Sequence, residues 1–246
     1  MKKPLGLLAI GALILSPWMT AGAVSFGFSP TILELNVTKK TTGSFVINNS
    51  DTQPIEFKAE VLSWTQSNGD DVYTPTREIL VNPTRFTIPP GGRQTVRIGL
   101  RGKLTQSQSA YRVSLQQVAP SDPSTQPQIS VKAGEDATLN LKILYRLMLP
   151  VFYQQPDIQS SASWSVERDQ DNLVLVGKNT GTAYAAYRSM KANAGEMQMD
   201  LGNRYILANS TLKVALKDWG KLSGKLTLSY TDNGETKNET LDIPSL

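Results

Sequence analysis

The feature that most constrains the fold is the short period of the apolar residues. Runs such as Thr31–Val37 and Gln94–Leu100 alternate apolar and polar side chains, and no long stretch keeps the period of a helix. Clusters of Gly, Pro, Asn and Asp interrupt these runs, as at 48–51 and 89–92. This spacing predicts an all-β chain of antiparallel sheets packed as sandwiches.

The predicted strands form two groups on either side of Gln154–Asp157, which has the composition of a hinge between domains. We therefore predict tandem domains at 24–153 and 157–246, with one larger sandwich as the structural alternative. Residues 119–136 are the longest polar, proline-bearing interval, and a mobile loop is predicted there. Further predicted strands are 42–48, 55–61, 86–88, 110–118, 173–179, 184–190, 212–216, 225–230 and 239–243.

The N-terminus has the pattern of an export signal. Two lysines precede an apolar run, 5–15, that is too short to cross a bilayer comfortably, and Ala21–Ala23 supplies the small residues that a signal peptidase requires. We expect residues 1–23 to be removed and the mature chain to be secreted or periplasmic, without membrane insertion. A retained N-terminal anchor is the alternative.

The composition of the chain excludes several classes of chemistry. Removal of residues 1–23 takes away two lysines and no acids, so 23 basic side chains face 21 acidic ones. This balance argues against nucleic acid as a partner, because its capture needs a concentrated basic surface. The absence of His and Cys excludes histidine-based triads, thiol nucleophiles and Cys/His zinc sites. We expect no cofactor, no metal site and no enzymatic activity.

Hydrolysis by carboxylates alone is the remaining catalytic possibility. Asp70 is adjacent to Asp71, and Asp169 lies close to Asp171. Both pairs stand in polar, turn-like sequence, which favours solvated hairpin tips over catalytic pairs.

The stretch 139–156 is unusually apolar for a strand and contains a proline. Its odd positions from Leu139 to Leu149 form an unbroken apolar row, whereas the polar residues of its first half lie at even positions. Pro150 cannot donate a ladder hydrogen bond, so we predict that at least the end of this strand lies at a sheet edge or bulge. An exposed apolar edge invites pairing with another chain, but the same alternation arises in a strand that faces its own core.

Several short segments stand in a distinctive order along the mature chain. They are 24–26 with 29–30, 48–50, 88–92 with 96–97, 111–113, 149–152, and Trp64–Gln66 before a Gly-Asp turn. In this order they resemble the periplasmic chaperones of chaperone–usher pili over essentially the whole mature chain. The segment at Trp64 is similar to the divergent archaic branch of that family.

The resemblance implies two immunoglobulin-like β-sandwich domains set at an angle, with a binding cleft that faces the first domain. Such chaperones lend a strand to a pilin whose own sandwich lacks one, which is a form of strand addition. Carried onto this chain, the donor row is Leu139, Leu141, Ile143 and Tyr145.

The resemblance also implies two basic residues that hold the C-terminal carboxylate of the pilin through charge-assisted hydrogen bonds. In the best-known branch they lie on the first strand and near the end of the donor strand, which here correspond to Pro30 and a position close to Pro150. The candidates in this chain are therefore Arg112 and Arg146, with Lys142 in reserve. A solvated or cross-strand charge is the alternative for each arginine.

The predicted function is that of a non-enzymatic periplasmic chaperone that binds pilus subunits and delivers them to an outer-membrane usher. A structural pilus subunit or adhesin is a second hypothesis, although the strand pattern fills two domains and the apolar strand lies mid-chain. A carbohydrate-binding or hydrolytic sandwich is the third, and it would use the acids together with Trp64, Trp164 and Trp219, which lie in separate segments.

Overall fold

The computed structural model describes residues 26–119, 128–132, 138–142, 144–169, 172–232 and 234–245, with the backbone alone for 128–132 and 138–142. Within these ranges the chain is all-β and forms no helix, and so none that could cross a bilayer. Its strands build two β-sandwich domains, which confirms the predicted fold class.

The first domain contains the strands that precede residue 155. They are β1 (Phe26–Ser29), β2 (Leu33–Asn36), β3 (Thr42–Asn49), β4 (Ile55–Ser67), β5 (Asp70–Pro75), β6 (Ile79–Asn82), β7 (Arg85–Ile88), β8 (Arg93–Leu100), β9 (Gln108–Gln117), β10 (Gln128–Lys132), β11 (Thr138–Lys142) and β12 (Arg146–Gln154).

Two sheets of the first domain enclose its core. One has the strand order β1–β3–β8–β6, and the other has the order β2–β12–β9–β4–β5, with β7 also paired to β4. Alternate residues of both sheets, such as Ile47, Val96, Val113, Leu115 and Val151, are completely buried between them. Each such side chain contributes about 1.5–3 kcal/mol to folding. Strands β10 and β11 form a separate two-stranded sheet.

The second domain contains the strands that follow residue 161. They are β13 (Ala162–Asp169), β14 (Asn172–Asn179), β15 (Ala185–Ala194), β16 (Met197–Ile206), β17 (Ser210–Leu216), β18 (Gly224–Asp232) and β19 (Glu235–Ile243). Its sheets have the orders β13–β14–β17 and β16–β15–β18–β19. Leu173, Leu175, Leu226 and Leu228 are fully buried between these sheets.

Several strands were missed by the sequence pattern. The strands β1, β5, β6, β13 and β16 all lie at the end of a sheet, where one neighbour supplies the backbone hydrogen bonds. Strand β5 is exposed along its whole length, so it shows no useful alternation. The predicted loop at 119–136 was wrong at 128–132, because these residues form β10 and pair with β11.

Each domain has a buried asparagine that closes the end of a strand. Asn49 is 2% exposed, and its Nδ2 donates to the carbonyl oxygens of Gln53, Ile88 and Pro89 at 2.8, 3.0 and 3.2 Å. Asn179 donates to two carbonyl oxygens of the second domain at 2.7 and 3.1 Å. These amides give hydrogen bonds to backbone carbonyls where the strands end.

Replacement of Asn49 by Ala is expected to lower the free energy of unfolding of the first domain by about 2–3 kcal/mol, because buried carbonyl oxygens lose their donor. Native-state hydrogen exchange of the β3 amides measures the change for this domain alone. The matched control is Asn48→Ala at the exposed neighbouring position, which should stay within about 0.5 kcal/mol of the wild type. Equal stabilities of the two variants would contradict the role given to Asn49.

Candidate functional site

Within the part of the chain that the structure describes, strand β12 is covered along only half of one hydrogen-bonding side. At the start of its pairing with β9, the Gln117 amide donates to the Tyr145 carbonyl at 2.9 Å, so the odd residues bond to β9. The even residues therefore direct their backbone groups away from β9. On that side β2 pairs with 151–154. Among the described residues, no strand covers the backbone of 146–150, which we call the open edge.

Pro150 stands where the open edge ends. It lies opposite Arg112 in a position without ladder hydrogen bonds to β9, so its missing amide hydrogen costs that pairing nothing. On the other side β2 begins opposite the next residue, with Leu33 paired to Val151. The proline is therefore at a sheet edge, as predicted, although it is buried within β12 and does not end the strand.

Only the first half of the predicted donor row lies in a described strand. Leu139 and Leu141 belong to β11, which pairs along its whole length with β10. Ile143 lies outside the described residues. Tyr145 immediately precedes β12, which begins at Arg146. The assignment of these residues as a donor row stays a prediction.

The odd face of β12 packs into the core of its own domain. The Tyr145 ring meets Phe26 edge-on, with 5.4 Å between ring centres. Leu147 packs against the core cluster, and Leu149 belongs to it. For these residues the structure agrees with the second reading of the sequence, a strand that faces its own core.

Arg112 lies on the outer face of the sheet, among aromatic rings from both domains. Its guanidinium carbon is 3.7 Å from the centre of the Trp64 ring and 5.4 Å from that of Tyr205 in the second domain. Nη1 donates to the Met148 carbonyl at 3.1 Å, whereas Nε is buried without a hydrogen-bond partner among the described residues. Burial lowers the pKa of Arg112 from its ordinary value.

Arg146 lies on the same face of the sheet as Arg112. Its Nε donates to the Ser114 hydroxyl at 2.9 Å, and its Nη2 is 3.6 Å from a Glu60 carboxylate oxygen. The side chains of this ion pair are 54% and 42% exposed, so it contributes little, about 0–1 kcal/mol. Ser114 is paired across the strands with Met148. The two predicted anchors therefore flank one cross-strand pair, and their role in holding a carboxylate stays a prediction.

The turn of the β4–β5 hairpin contacts the second domain. Asn68 and Gly69 form this turn with φ values of 55° and 93°, and the Gly69 carbonyl accepts a 2.7 Å hydrogen bond from the Lys213 amide. A Cβ on Gly69 would lie 2.5 Å from the Lys213 side chain, so both the turn and the contact require glycine. The predicted hairpin is confirmed, and Asp70 and Asp71 are exposed in β5, but the tip of the hairpin is a contact with the second domain.

Asp71 holds the aromatic part of this contact in place. Its Oδ1 accepts hydrogen bonds from Trp64 Nε1 and Gln66 Nε2 at 2.9 Å each, and its Oδ2 accepts one from the Tyr73 hydroxyl at 3.1 Å. A carboxylate with this set of partners orients the Trp64 indole, on which the Arg112 guanidinium stacks.

Gln66 connects Asp71 to the backbone of the second domain. Its Nε2 also donates to the Tyr205 carbonyl at 2.8 Å, and its Oε1 accepts from the Leu207 amide at 2.9 Å. The sequence analysis included Gln66 in the Trp64–Gln66 segment without giving it a role, and it missed Tyr205, which does not stand out from the strand pattern around it. Their partners lie far away along the chain.

An apolar cluster completes the contact between the domains. Trp64, Phe152 and Leu207 are buried together. The Phe152 ring stacks on Tyr184, with 3.7 Å between ring centres and 6° between ring planes. The Tyr184 hydroxyl donates to Glu34, and burial raises the pKa of this tyrosine above its ordinary value.

The three tryptophans of the carbohydrate-binding or hydrolytic hypothesis are buried in the fold. Trp64 is buried at the domain contact, and Trp164 and Trp219 belong to the core of the second domain. Within the described ranges, no group of three or more acidic residues is arranged to hold a metal ion.

Comparisons with known proteins agree with the resemblance found in the sequence. The family model described as "Pili and flagellar-assembly chaperone, PapD N-terminal domain" matches residues 25–158. No curated protein matches the chain.

Solved structures share the fold over most of the chain. The complex of the chaperone CsuC with the tip adhesion subunit CsuE, from archaic chaperone–usher Csu pili of Acinetobacter baumannii, contains a chain that is 18% identical, with a TM-score of 0.64 and coverage of 90% of this chain and 100% of that one. The corresponding values are 14%, 0.58, 89% and 96% for the Salmonella enterica SafA pilin in complex with the SafB chaperone. They are 17%, 0.57, 89% and 97% for the Escherichia coli chaperone DraB.

Replacement of Asp71 by Ala is expected to destabilise the first domain by about 1–3 kcal/mol and to shift the fluorescence of Trp64, because the buried indole N–H loses its acceptor. Asp71→Asn keeps an acceptor oxygen and should lose less. The matched control is Asp70→Ala, an exposed aspartate in the same strand. A Trp64 signal that responds equally to Asp70→Ala and Asp71→Ala would argue against this role.

Proposed function

Because the chain belongs to the family of pili and flagellar-assembly chaperones, we propose that it binds pilus subunits in the periplasm by donor-strand complementation and delivers them to an outer-membrane usher. The open edge of β12 is the observation that carries this proposal. It offers backbone donors and acceptors along a stretch of strand, which another chain can pair with. The proposed role of the chain is non-enzymatic.

Strand addition at this edge gives the two kinds of interaction that such a chaperone needs. Backbone hydrogen bonds at 146–149 supply affinity that tolerates changes in the subunit sequence. Alternate residues of the preceding segment, Leu139, Leu141 and Ile143, fill the apolar groove of the incomplete subunit, and Tyr145 stands at the entry to β12. Each side chain that becomes buried gains about 1.5–3 kcal/mol before the cost of association.

Similar proteins support a small β-rich subunit as the partner. One similar structure is a chaperone complex with a tip adhesion subunit, and another is a pilin in complex with a chaperone. Delivery to an usher is supported by the description of one of these similar structures as part of an archaic chaperone–usher system. We also propose that residues 1–23 are removed on export and that the domains occupy 24–153 and 157–246.

Purification of the tagged mature chain from the periplasm, with its neighbouring genes expressed, tests the proposed function directly. A small β-rich subunit should be recovered in stoichiometric amount. Recovery of the chain without such a subunit would contradict the proposal, and recovery of a glycan-binding activity would favour the carbohydrate hypothesis.

The donor row is tested by placing charges on it. Leu139→Asp combined with Leu141→Asp should reduce the recovered subunit about tenfold or more, because a carboxylate is strongly disfavoured in an apolar groove. Thr138→Asp combined with Asn140→Asp is the matched control, since it places the same charges at the alternating positions of β11. Equal losses in both double variants would show that β11 does not present this row to the subunit.

The anchors are tested by removing one cation at a time. Arg146→Ala should lower subunit affinity about tenfold, equivalent to about 1.4 kcal/mol, because a carboxylate loses a charge-assisted hydrogen bond. The affinity that remains should depend less on salt. Lys58→Ala is the matched control, because Lys58 is exposed and shares the face of the sheet. Undiminished recovery with Arg146→Ala or with Arg112→Ala would exclude that arginine as an anchor.

A further inference from the structure

We propose that Arg112 is a positioning residue that links the open edge of β12 to the second domain, so that strand pairing at the edge and the contact between domains influence each other. The inference deepens the proposed function and rests on it for its biological purpose. The link itself is a property of the free chain.

One end of the link is a backbone group that an incoming strand needs. Met148 is an even residue of β12, so its carbonyl belongs to the side that faces away from β9 and that β2 leaves uncovered. Nη1 of Arg112 donates to this carbonyl at 3.1 Å. A strand that pairs with the open edge would bring an amide to the same oxygen, and it would compete with the guanidinium for it.

The other end of the link is an aromatic ring of the second domain. The guanidinium stacks at 3.7 Å on Trp64 and lies 5.4 Å from the centre of the Tyr205 ring. Cations over such rings are stabilised most when they are removed from water, and Arg112 is only 9% exposed. Its buried Nε has no hydrogen-bond partner among the described residues.

Hydrogen bonds hold both rings in register with the guanidinium. The Asp71 carboxylate accepts from the Trp64 indole, and Gln66 donates both to Asp71 and to the Tyr205 carbonyl. These contacts therefore form one connected network. It joins the β4–β5 hairpin to β16 and, through Arg112, to β12. A displacement of Arg112 at one end changes the packing at the other.

Coupling of this kind is reciprocal. If a subunit strand takes the Met148 carbonyl, Arg112 is released from it and its stacking with Tyr205 changes. By linkage, a change at Tyr205 must then alter the state of the Met148 carbonyl, even with no subunit present. This consequence makes the inference testable in the free chain.

The sequence provides a specific probe of the Met148 carbonyl. Met148–Leu149 is the one Met-Leu pair in the chain, so labelling with carbonyl-13C methionine and 15N leucine yields one cross-peak in a carbonyl–amide NMR correlation. The carbonyl signal of Met190, which is fully buried in the second domain, reports whether that domain stays folded.

Four variants distinguish the coupling from a merely local role. Arg112→Leu should move the Met148–Leu149 cross-peak, because the carbonyl loses its donor. Tyr205→Leu should move it in the same direction and less far, while Tyr205→Phe, which keeps the ring, should leave it in place. The matched control is Tyr230→Leu, since Tyr230 is also a partly buried tyrosine of the second domain but packs on Tyr187.

The possible outcomes separate this inference from the proposed function. The coupling would be overturned if the Met148–Leu149 cross-peak does not shift in Tyr205→Leu while the Met190 signal is unchanged. An equal shift of the cross-peak in Tyr230→Leu would also overturn it. If the cross-peak does not shift in Arg112→Leu, the contact between Arg112 and the Met148 carbonyl is disproved. If the peak responds as expected but the wild type recovers no subunit, the coupling stands and the proposed function fails.

Discussion

The backbone of strand β12 must form hydrogen bonds on both of its sides, and this requirement determines which contacts the outer face of the first domain makes. Strand β9 satisfies the odd residues along the whole strand, whereas β2 satisfies the even residues of 151–154 only. Pro150 stands at the boundary. Because it has no amide hydrogen, it leaves no backbone donor without a partner there. One strand can therefore complete the core of its domain and still present backbone groups to another chain.

The contacts of Arg112 explain why this buried arginine is tolerated where the two domains meet. Removing a guanidinium from water is costly unless its charge and its donors find partners. Here the Trp64 and Tyr205 rings face the charge, and the Met148 carbonyl accepts one donor. The apolar cluster around Phe152 excludes water from the same region. Polar and apolar contacts thus jointly determine how the second domain meets the sheet.

Much of the fold could be predicted from local pattern. Strands in the middle of the sheets alternate clearly, because one face of each is buried, and the family motifs stand in their proper order. Strands β5 and β16 escaped prediction because they show little alternation of buried and exposed residues, whereas β2, β17 and β19, which also end their sheets, were predicted. The odd apolar row was recognised correctly, and for its second half the structure agrees with the reading of a strand that faces its own core, since Leu149 belongs to the core cluster and Leu147 packs against it.

The sequence by itself determined the all-β class, the membership of the chaperone family and the exclusion of histidine and cysteine chemistry. These properties depend on residue types and on spacings within a few positions. Tertiary structure alone decided that Arg112 and Arg146 share a face, that no described strand covers 146–150 of β12 and that Gln66 bonds to the backbone of Tyr205. That last pair is 139 positions apart. Contacts over such separations depend on how the sheets and domains pack, which an alternation with a period of two does not specify.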